Sequence, residues 1–353
     1  MAIQSFGTTH KLTEHQWCEE LFYEYIPNSY FFQYMGGDAS SPVVVKSDLE
    51  AKPGDKLTIP KLYLLDPDSG VEGDITLEGK EQDMAYGADE MTALQIRNAV
   101  RILGGLSAQR TARKTRDDAK SVLMTWKEQE LDNRIFKVLT ANPTANRILA
   151  CDSTVTSDVS IPVAGIDDIA TTDVLTVEAI RSIKLFAITG NDGNAEKIHP
   201  YRTVDRHGKD LYLFFCDYYA IRDLKRDPLF VEYSKEYASA REDFFRGGIA
   251  NVDGVIIIEC DKIEREQNAT SVMVAKNLFL GASAVAVTWA GKDKNGNKQG
   301  AHTQWYERDD FDYGNQCGIA VGDIKGVKKI AFDNEGVAQD DNGVIVFYSA
   351  SIA

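Results

Sequence analysis

Five histidines could serve as general bases or metal ligands: His10, His15, His199, His207 and His302. No two stand four apart on a helical pattern and none adjoins a pair of cysteines, so the common zinc spacings are missing. His207 falls in V-D-R-H-G-K-D (204–210), which reads as a hairpin turn and favours a solvated imidazole. The five cysteines, Cys18, Cys151, Cys216, Cys260 and Cys317, are scattered, with no C-x-x-C. Cys216 and Cys260 close apolar runs and read as buried thiols of a reducing compartment. Cys18 has no basic neighbour to activate it. The nucleophile-elbow motif is absent, although a Ser–His–Asp triad gathered from distant positions stays open. Gly104-Gly105 and Gly247-Gly248 lack phosphate-loop and dinucleotide spacing and read as helix ends and turns. The stretch 293–297 (D-K-N-G-N) starts like a calcium loop, but Lys298 stands where glycine is needed and Gln304 where the bidentate glutamate is needed. Glu307, Asp309, Asp310 and Asp312 form the densest acidic cluster, read as a solvated face. No cofactor or metal is expected, and the chain reads as a non-enzyme.

The chain has 353 residues, 43% of them apolar, enough for a sizeable core. Its 54 acidic against 39 basic residues give a net charge of −15. Tight nucleic-acid binders carry the opposite surplus. Wrapping of DNA by this domain is therefore disfavoured, while enclosing it is not. No run approaches the roughly 18 apolar residues of a membrane span. The longest, 278–290, is interrupted by Gly281, Ser283 and Thr288. Residues 1–10 lack the basic-then-apolar order of a signal peptide, so a soluble protein with no membrane partner is expected.

The elements that would position any of these groups are mixed. Residues 1–45 carry aromatic clusters around Trp17 and across Tyr30, Phe31, Phe32 and Tyr34 without sustained patterning. Strand 56–65 and a return strand 91–102 frame a polar, glycine-punctuated stretch of about 25 residues (66–90), longer than ordinary loops. In the return strand, Leu94, Ile96, Val100 and Ile102 alternate with polar positions, the period-2 pattern of a half-buried strand. Residues 107–140 give the strongest helix signal, with Ser107 as N-cap. Its C-terminal half has an apolar stripe (Leu123, Trp126, Leu131, Ile135, Leu139), whereas its N-terminal half carries Arg110, Arg113, Lys114, Arg116 and Lys120. Thr176 opens a helix ending near Gly190. Buried strands are expected at 211–216 and 255–259, helical segments over 218–246, a helix or strand mix over 272–288, and strands near 318–321, 327–332 and 343–348. The class is α+β with segregated elements, not a regular βαβ alternation.

A glycine-rich acidic hairpin, a long helix, a mixed domain and a short C-terminal β segment follow in that order. The stretches that carry a closer likeness are GDKLTIP (54–60), GVEGDITLEG (70–79), QIRNAVR (95–101), SAQRT (107–111), YAIRDLKRD (219–227) and FDYGNQ (311–316). On these the chain resembles the major capsid proteins of tailed bacteriophages, in particular the capsid family of the N-four-like phages, which have the Hong Kong 97-type fold.

The resemblance implies an N-terminal arm (1–45), an extended hairpin loop (46–102) and a peripheral domain (103–175) with a spine helix at 107–140. It further implies an axial domain (176–325) and C-terminal strands (326–353) returning to the peripheral domain. It implies self-assembly into hexamers and pentamers of an icosahedral shell around double-stranded DNA, in a virion put together in the bacterial cytoplasm. A separate scaffold protein, a portal and a decoration protein are the expected partners besides the chain itself. Candidate inter-subunit contacts are Trp17, Phe31, Phe32, Gly70, Glu72, Asp74, Glu78, Leu94, Ile96, Arg110, Arg113 and Arg116. Arg110, Arg113 and Arg116 are expected to meet the acidic loop of another copy. No lysine is assigned to a cross-link, and Lys80 stands out only by its place in the loop. An encapsulin-like compartment of the same fold and an enzyme with a dispersed site are the alternatives.

Overall fold

The computed structural model describes residues 29–46, 56–62, 70–71, 76, 78–84, 86–102, 104, 115–155, 157–190, 196–201, 210–232, 245–246, 249–290, 303–313, 315–332 and 340–352. In chain order the early elements are β1 (Met35–Gly36), β2 (Val43–Lys46), β3 (Lys56–Leu62), β4 (Tyr86–Thr92), β5 (Leu94–Ile102) and the helix α1 (Thr115–Thr140). Next come β6 (Ile148–Cys151), β7 (Val159–Ser160), α2 (Val177–Thr189), β8 (Tyr212–Cys216) and α3 (Tyr218–Leu224). The remainder are strands: β9 (Phe245–Arg246), β10 (Ile249–Val252), β11 (Val255–Glu259), β12 (Arg265–Gln267), β13 (Met273–Leu280), β14 (Val285–Ala290), β15 (Thr303–Phe311), β16 (Gln316–Lys329) and β17 (Val344–Ala350).

A nine-stranded mixed sheet runs β7-β6-β17-β13-β8-β11-β10-β9, with β12 beside β13. Its central strands are apolar at nearly every position, as strands covered on both faces must be. Along β8 the alternation sends Tyr212, Phe214 and Cys216 to one face and Leu213 and Phe215 to the other. In β17, Ile345 and Phe347 join the first face while Val344, Val346 and Tyr348 join the second. Helices α2 and α3 cover the first face through Ile180, Ile183, Ala220 and Leu224. The C-terminal half of α1 covers the second through Leu131, Ile135, Phe136 and Leu139. Helix α2 is bounded as its sequence predicts. The Thr176 hydroxyl accepts from Ala179 N–H at 3.1 Å, and Gly190 closes the helix in the left-handed region at φ 67°.

A second sheet runs β1-β2-β14-β16-β15, with β5 on the other side of β16. The 14-residue β16 is its axis. Its first part lies between β15 and β5 and its last part continues against β14. The N-terminal half of α1 packs on this sheet through Ala119 and Leu123 against Ile319 and Val321. At ~1.5 Å per residue, 26 residues make α1 about 39 Å long, enough to rest on both sheets.

Several expectations are corrected. Residues 91–102 form two strands, not one, because Ala93 separates β4, which pairs with β3, from β5, which pairs with β16. The two strands expected near 318–321 and 327–332 are one continuous β16. The expected helix or strand mix at 272–288 is β13 and β14, and the helical segments expected through 246 give way to strand at β9. Helix α1 is described from Thr115; the expected start at Ser107 lies outside the described residues. Strand pairing links segments on either side of 175/176 and 325/326. Strand β16 pairs with β5, β14 and β15, while β17 sits between β6 and β13. Strand partners are chosen by matching apolar faces, and proximity along the chain does not dictate them.

Candidate assembly surfaces

The hairpin β3–β4 is a separate two-stranded sheet with seven paired positions, from Lys56↔Thr92 to Leu62↔Tyr86. Two strands alone are marginal in water, so its base must be held. Leu57, Ile59 and Met91 pack on Val44, Ala286, Ile330 and Phe332. The Asp89 carboxylate, 7% exposed, takes Lys328 as an ion pair and accepts from Ala331 N–H at 3.1 Å. Lys328 also donates to the Glu90 carbonyl at 2.7 Å, and Lys61 pairs with Glu196. Beyond the base, Leu62, Met84 and Tyr86 are all more than half exposed.

Where α1 crosses β16 a buried ionic cluster forms. Lys127 Nζ lies 2.5 Å from Asp323 Oδ1, with both side chains 4% exposed or less. Lys325 pairs with Glu130 and stands 3.6 Å from Asp323, and Arg134 donates to Glu130 at 2.7 Å. Burial alone would raise the Glu130 pKa, but the charges and hydrogen bonds of Lys325 and Arg134 outweigh it and hold the carboxyl below its ordinary range. At the N-terminal end of the same helix, Arg116 meets Asp309 at 2.7 Å and Glu307 at 3.8 Å, and Lys120 meets Glu307 at 3.0 Å.

The first described residues are pinned to α1. Asp132 accepts from the Ser29 hydroxyl and from Tyr30 N–H at 3.1 Å. Burial raises its pKa over the opposing effect of those hydrogen bonds. Phe31 is fully buried, with ring centroids 4.9 Å from Phe136 and 5.2 Å from Phe215.

The sequence-predicted contact residues therefore divide. Phe31 is spent on the chain's own core, and Arg116 on its own acidic strand. Phe32 is 45% exposed, Leu94 is 59% exposed, Gly70 and Glu78 are exposed, and Ile96 is half-buried on β5. Trp17, Glu72, Asp74, Arg110 and Arg113 lie outside the described residues. Sequence reasoning missed Asp89, Asp323 and Lys325. Asp89 at a position that alternates with Gly87 and Met91 on the buried face of β4, and two charges inside an apolar strand at 323 and 325, were the available signals.

His199 is the one histidine among the described residues. It lines a cleft of about 540 Å³ beside the hairpin base, with Lys46, Lys61, Ile59 and Phe332 but no carboxylate or thiol. Burial pushes the thiols of Cys151 and Cys216 well up and that of Cys260 to about 12, away from nucleophilic thiolate. Among the described residues no group of histidine, cysteine and carboxylate side chains could hold a metal ion.

The family model for phage capsid protein matches residues 6–353. The major capsid protein of Pseudomonas phage KPP25 is 24% identical over 90% of each chain. Among solved structures, the capsid of Ralstonia phage GP4 superposes with a TM-score of 0.74 at 23% identity over 92% of each chain. The cyanophage Pam1 capsid gives 0.74 at 20% over 93%, and the capsid of Helicobacter pylori bacteriophage KHP30 gives 0.70 at 20% over 91%. A hairpin held only at its base, a helix laid across two sheets and a match over nearly the whole length agree: the chain belongs to the phage capsid protein family and has the Hong Kong 97-type fold.

Proposed function

We propose that this chain is the major capsid protein of a tailed phage, which tiles an icosahedral shell of hexamers and pentamers around double-stranded DNA. One observation carries the reading beyond family membership. The hairpin is fixed at its base by Asp89 and a small apolar cluster, yet leaves Leu62, Met84 and Tyr86 open to solvent. Apolar side chains held outward in a row gain about 1.5–3 kcal/mol each only when something covers them. A contact between the hairpin of one copy and the body of the next is heterologous, and such contacts form rings where the rotation between copies closes. In this reading residues 1–45 are the arm and 46–102 the extended loop, whose last strand, β5, joins it to the sheet around β16. The sheet around β16 with α1 forms the peripheral domain, and the nine-stranded sheet belongs to the axial domain. Assembly in the host cytoplasm with a separate scaffold, a portal and a decoration protein belongs to the same proposal.

The test is sedimentation and negative-stain electron microscopy of the expressed full chain beside a variant lacking residues 66–84, which keeps β4 whole. Closed shells, or rings of five and six, are expected from the full chain. The deletion should give a folded protein that stays small. Normal shells from the deletion would refute the hairpin contact, and shells that enclose a specific protein cargo in place of DNA would favour the compartment reading.

A further inference from the structure

The side of β5, β16 and β15 turned away from α1 has a bare floor. Ile319 and Val321 face the helix, so Gly318 and Gly322 face outward by strand alternation. A Cβ on Gly322 would meet Arg97 Cγ at 2.7 Å, and one on Gly318 would meet the Phe311 ring at 2.9 Å. The glycines thus let Arg97 and Phe311 lie flat across the strand. Arg101 stands 4.8 Å over the centroid of the Phe311 ring and Arg308 4.4 Å over it. Two guanidinium groups share one ring and repel each other. Asp310 answers Arg308, but neither Arg97 nor Arg101, both exposed, has a carboxylate partner among the described residues. Of the arginines expected from sequence to receive an acidic loop, Arg110 and Arg113 lie outside the described residues and Arg116 is already paired within the chain.

The complementary surface is in the same sequence. Residues 63–85, beyond the last paired position of the hairpin, hold seven carboxylates and a single lysine, Lys80. Glu78, Glu81 and Asp83 are exposed. At ~3.3 Å per residue such a connection can reach at most about 40 Å outward and back. We propose that the Arg97–Arg101–Arg308 face receives the acidic hairpin end of a neighbouring copy. Arg97 and Arg101 donate charge-assisted, bidentate hydrogen bonds to its carboxylates. This rests on the shell reading above and supplies its hairpin with a receptor. A nucleic-acid backbone has matching charge, but a chain of net charge −15 repels it, whereas a short acidic segment brings seven carboxylates to this spot alone.

The test uses charge reversal and rescue in the full-length chain, under conditions where the unaltered chain assembles. Arg97→Glu with Arg101→Glu should leave the circular dichroism spectrum unchanged and lower the assembled fraction by about ten-fold or more. Glu78→Lys with Glu81→Lys and Asp83→Lys should do the same. The chain carrying all five changes should regain shells, an outcome that a simple folding defect cannot produce. Normal assembly of the arginine variant overturns the receptor, and if the 66–84 deletion still abolishes shells the shell reading itself survives. A five-fold variant no better than its parents also overturns the pairing. So does an arginine variant that forms normal shells but binds double-stranded DNA more weakly, since the face would then serve nucleic acid.

Discussion

The C-terminal half of α1 lies on the nine-stranded sheet through Leu131, Ile135, Phe136 and Leu139, all 3% exposed or less. Its N-terminal half crosses β16 through Ala119 and Leu123, and then through Lys127 facing Asp323, with Glu130 facing Lys325. The first contact is dry and the second is ionic. Apolar packing stabilises by removed area and tolerates a small slide. A buried ion pair is poor at adding stability but strict about register. A one-residue slip of β16 would turn Asp323 and Lys325 to the opposite face of the sheet. The dry sheet keeps the subunit folded, while the ionic seam fixes where β16, and so the hairpin base anchored by Lys328, stands relative to the helix.

The sharpest break of this comparison is Phe214→Ala. Phe214 is fully buried against Phe279 and Phe347, and its truncation is expected to cost about 4 kcal/mol. Chemical denaturation should show the loss as a lower midpoint at unchanged slope. A cost below about 1 kcal/mol would mean that this core can collapse around the void, and that the dry region is not the stabilising one.

Asp323→Ala should cost somewhat less, about 3 kcal/mol, because it removes the buried carboxylate that faces both Lys127 and Lys325. The double change Lys127→Met with Asp323→Leu should recover most of that stability. If register is what the seam supplies, the recovered protein should still assemble less accurately, seen as a broader size distribution of particles. Uniform particles from the double variant would break the comparison, leaving both regions as ordinary core.

Local patterns were legible where local chemistry decides. Thr176 and Gly190 bracket α2 because a hydroxyl cap and a left-handed glycine are short-range devices, and Val255–Glu259 reads as a strand from its apolar run alone. Pairing was not legible. Nothing near residues 91–102 says that β4 belongs to β3 and β5 to β16, since both halves alternate alike. The acidic cluster Glu307, Asp309, Asp310 and Asp312 is exposed, as expected of a solvated face, but the cations that meet Glu307 and Asp309, Arg116 and Lys120, lie nearly two hundred residues away. Glycines 318 and 322 form the floor beneath Phe311 and Arg97, a role that only the pairing of β16 with β5 and β15 makes visible.

The smallest expected effect separates two carboxylates on one helix. Glu130, in the ionic seam, has its pKa lowered because Lys325 and Arg134 outweigh the rise from burial, while Asp132, on the dry side, has its pKa raised by burial. For the lowered group, the stabilisation is present above its unfolded pKa of about 4.3 and is lost as pH falls through the folded value. For the raised group, the contribution is present below its unfolded pKa of about 3.9 and is lost as pH rises through the folded value. Thermal melts of the unaltered chain against Glu130→Gln should therefore give a gap that is steady from pH 8 to about 5 and narrows in acid. Against Asp132→Asn, the unaltered chain should gain ground as pH falls toward about 4 and lose it as pH rises. Opposite slopes in the two variants are the signature of one helix set on an ionic floor at one end and an apolar floor at the other. Parallel slopes would mean that Lys325 and Arg134 do not hold Glu130 ionised, and that the seam is no more electrostatic than the core beside it.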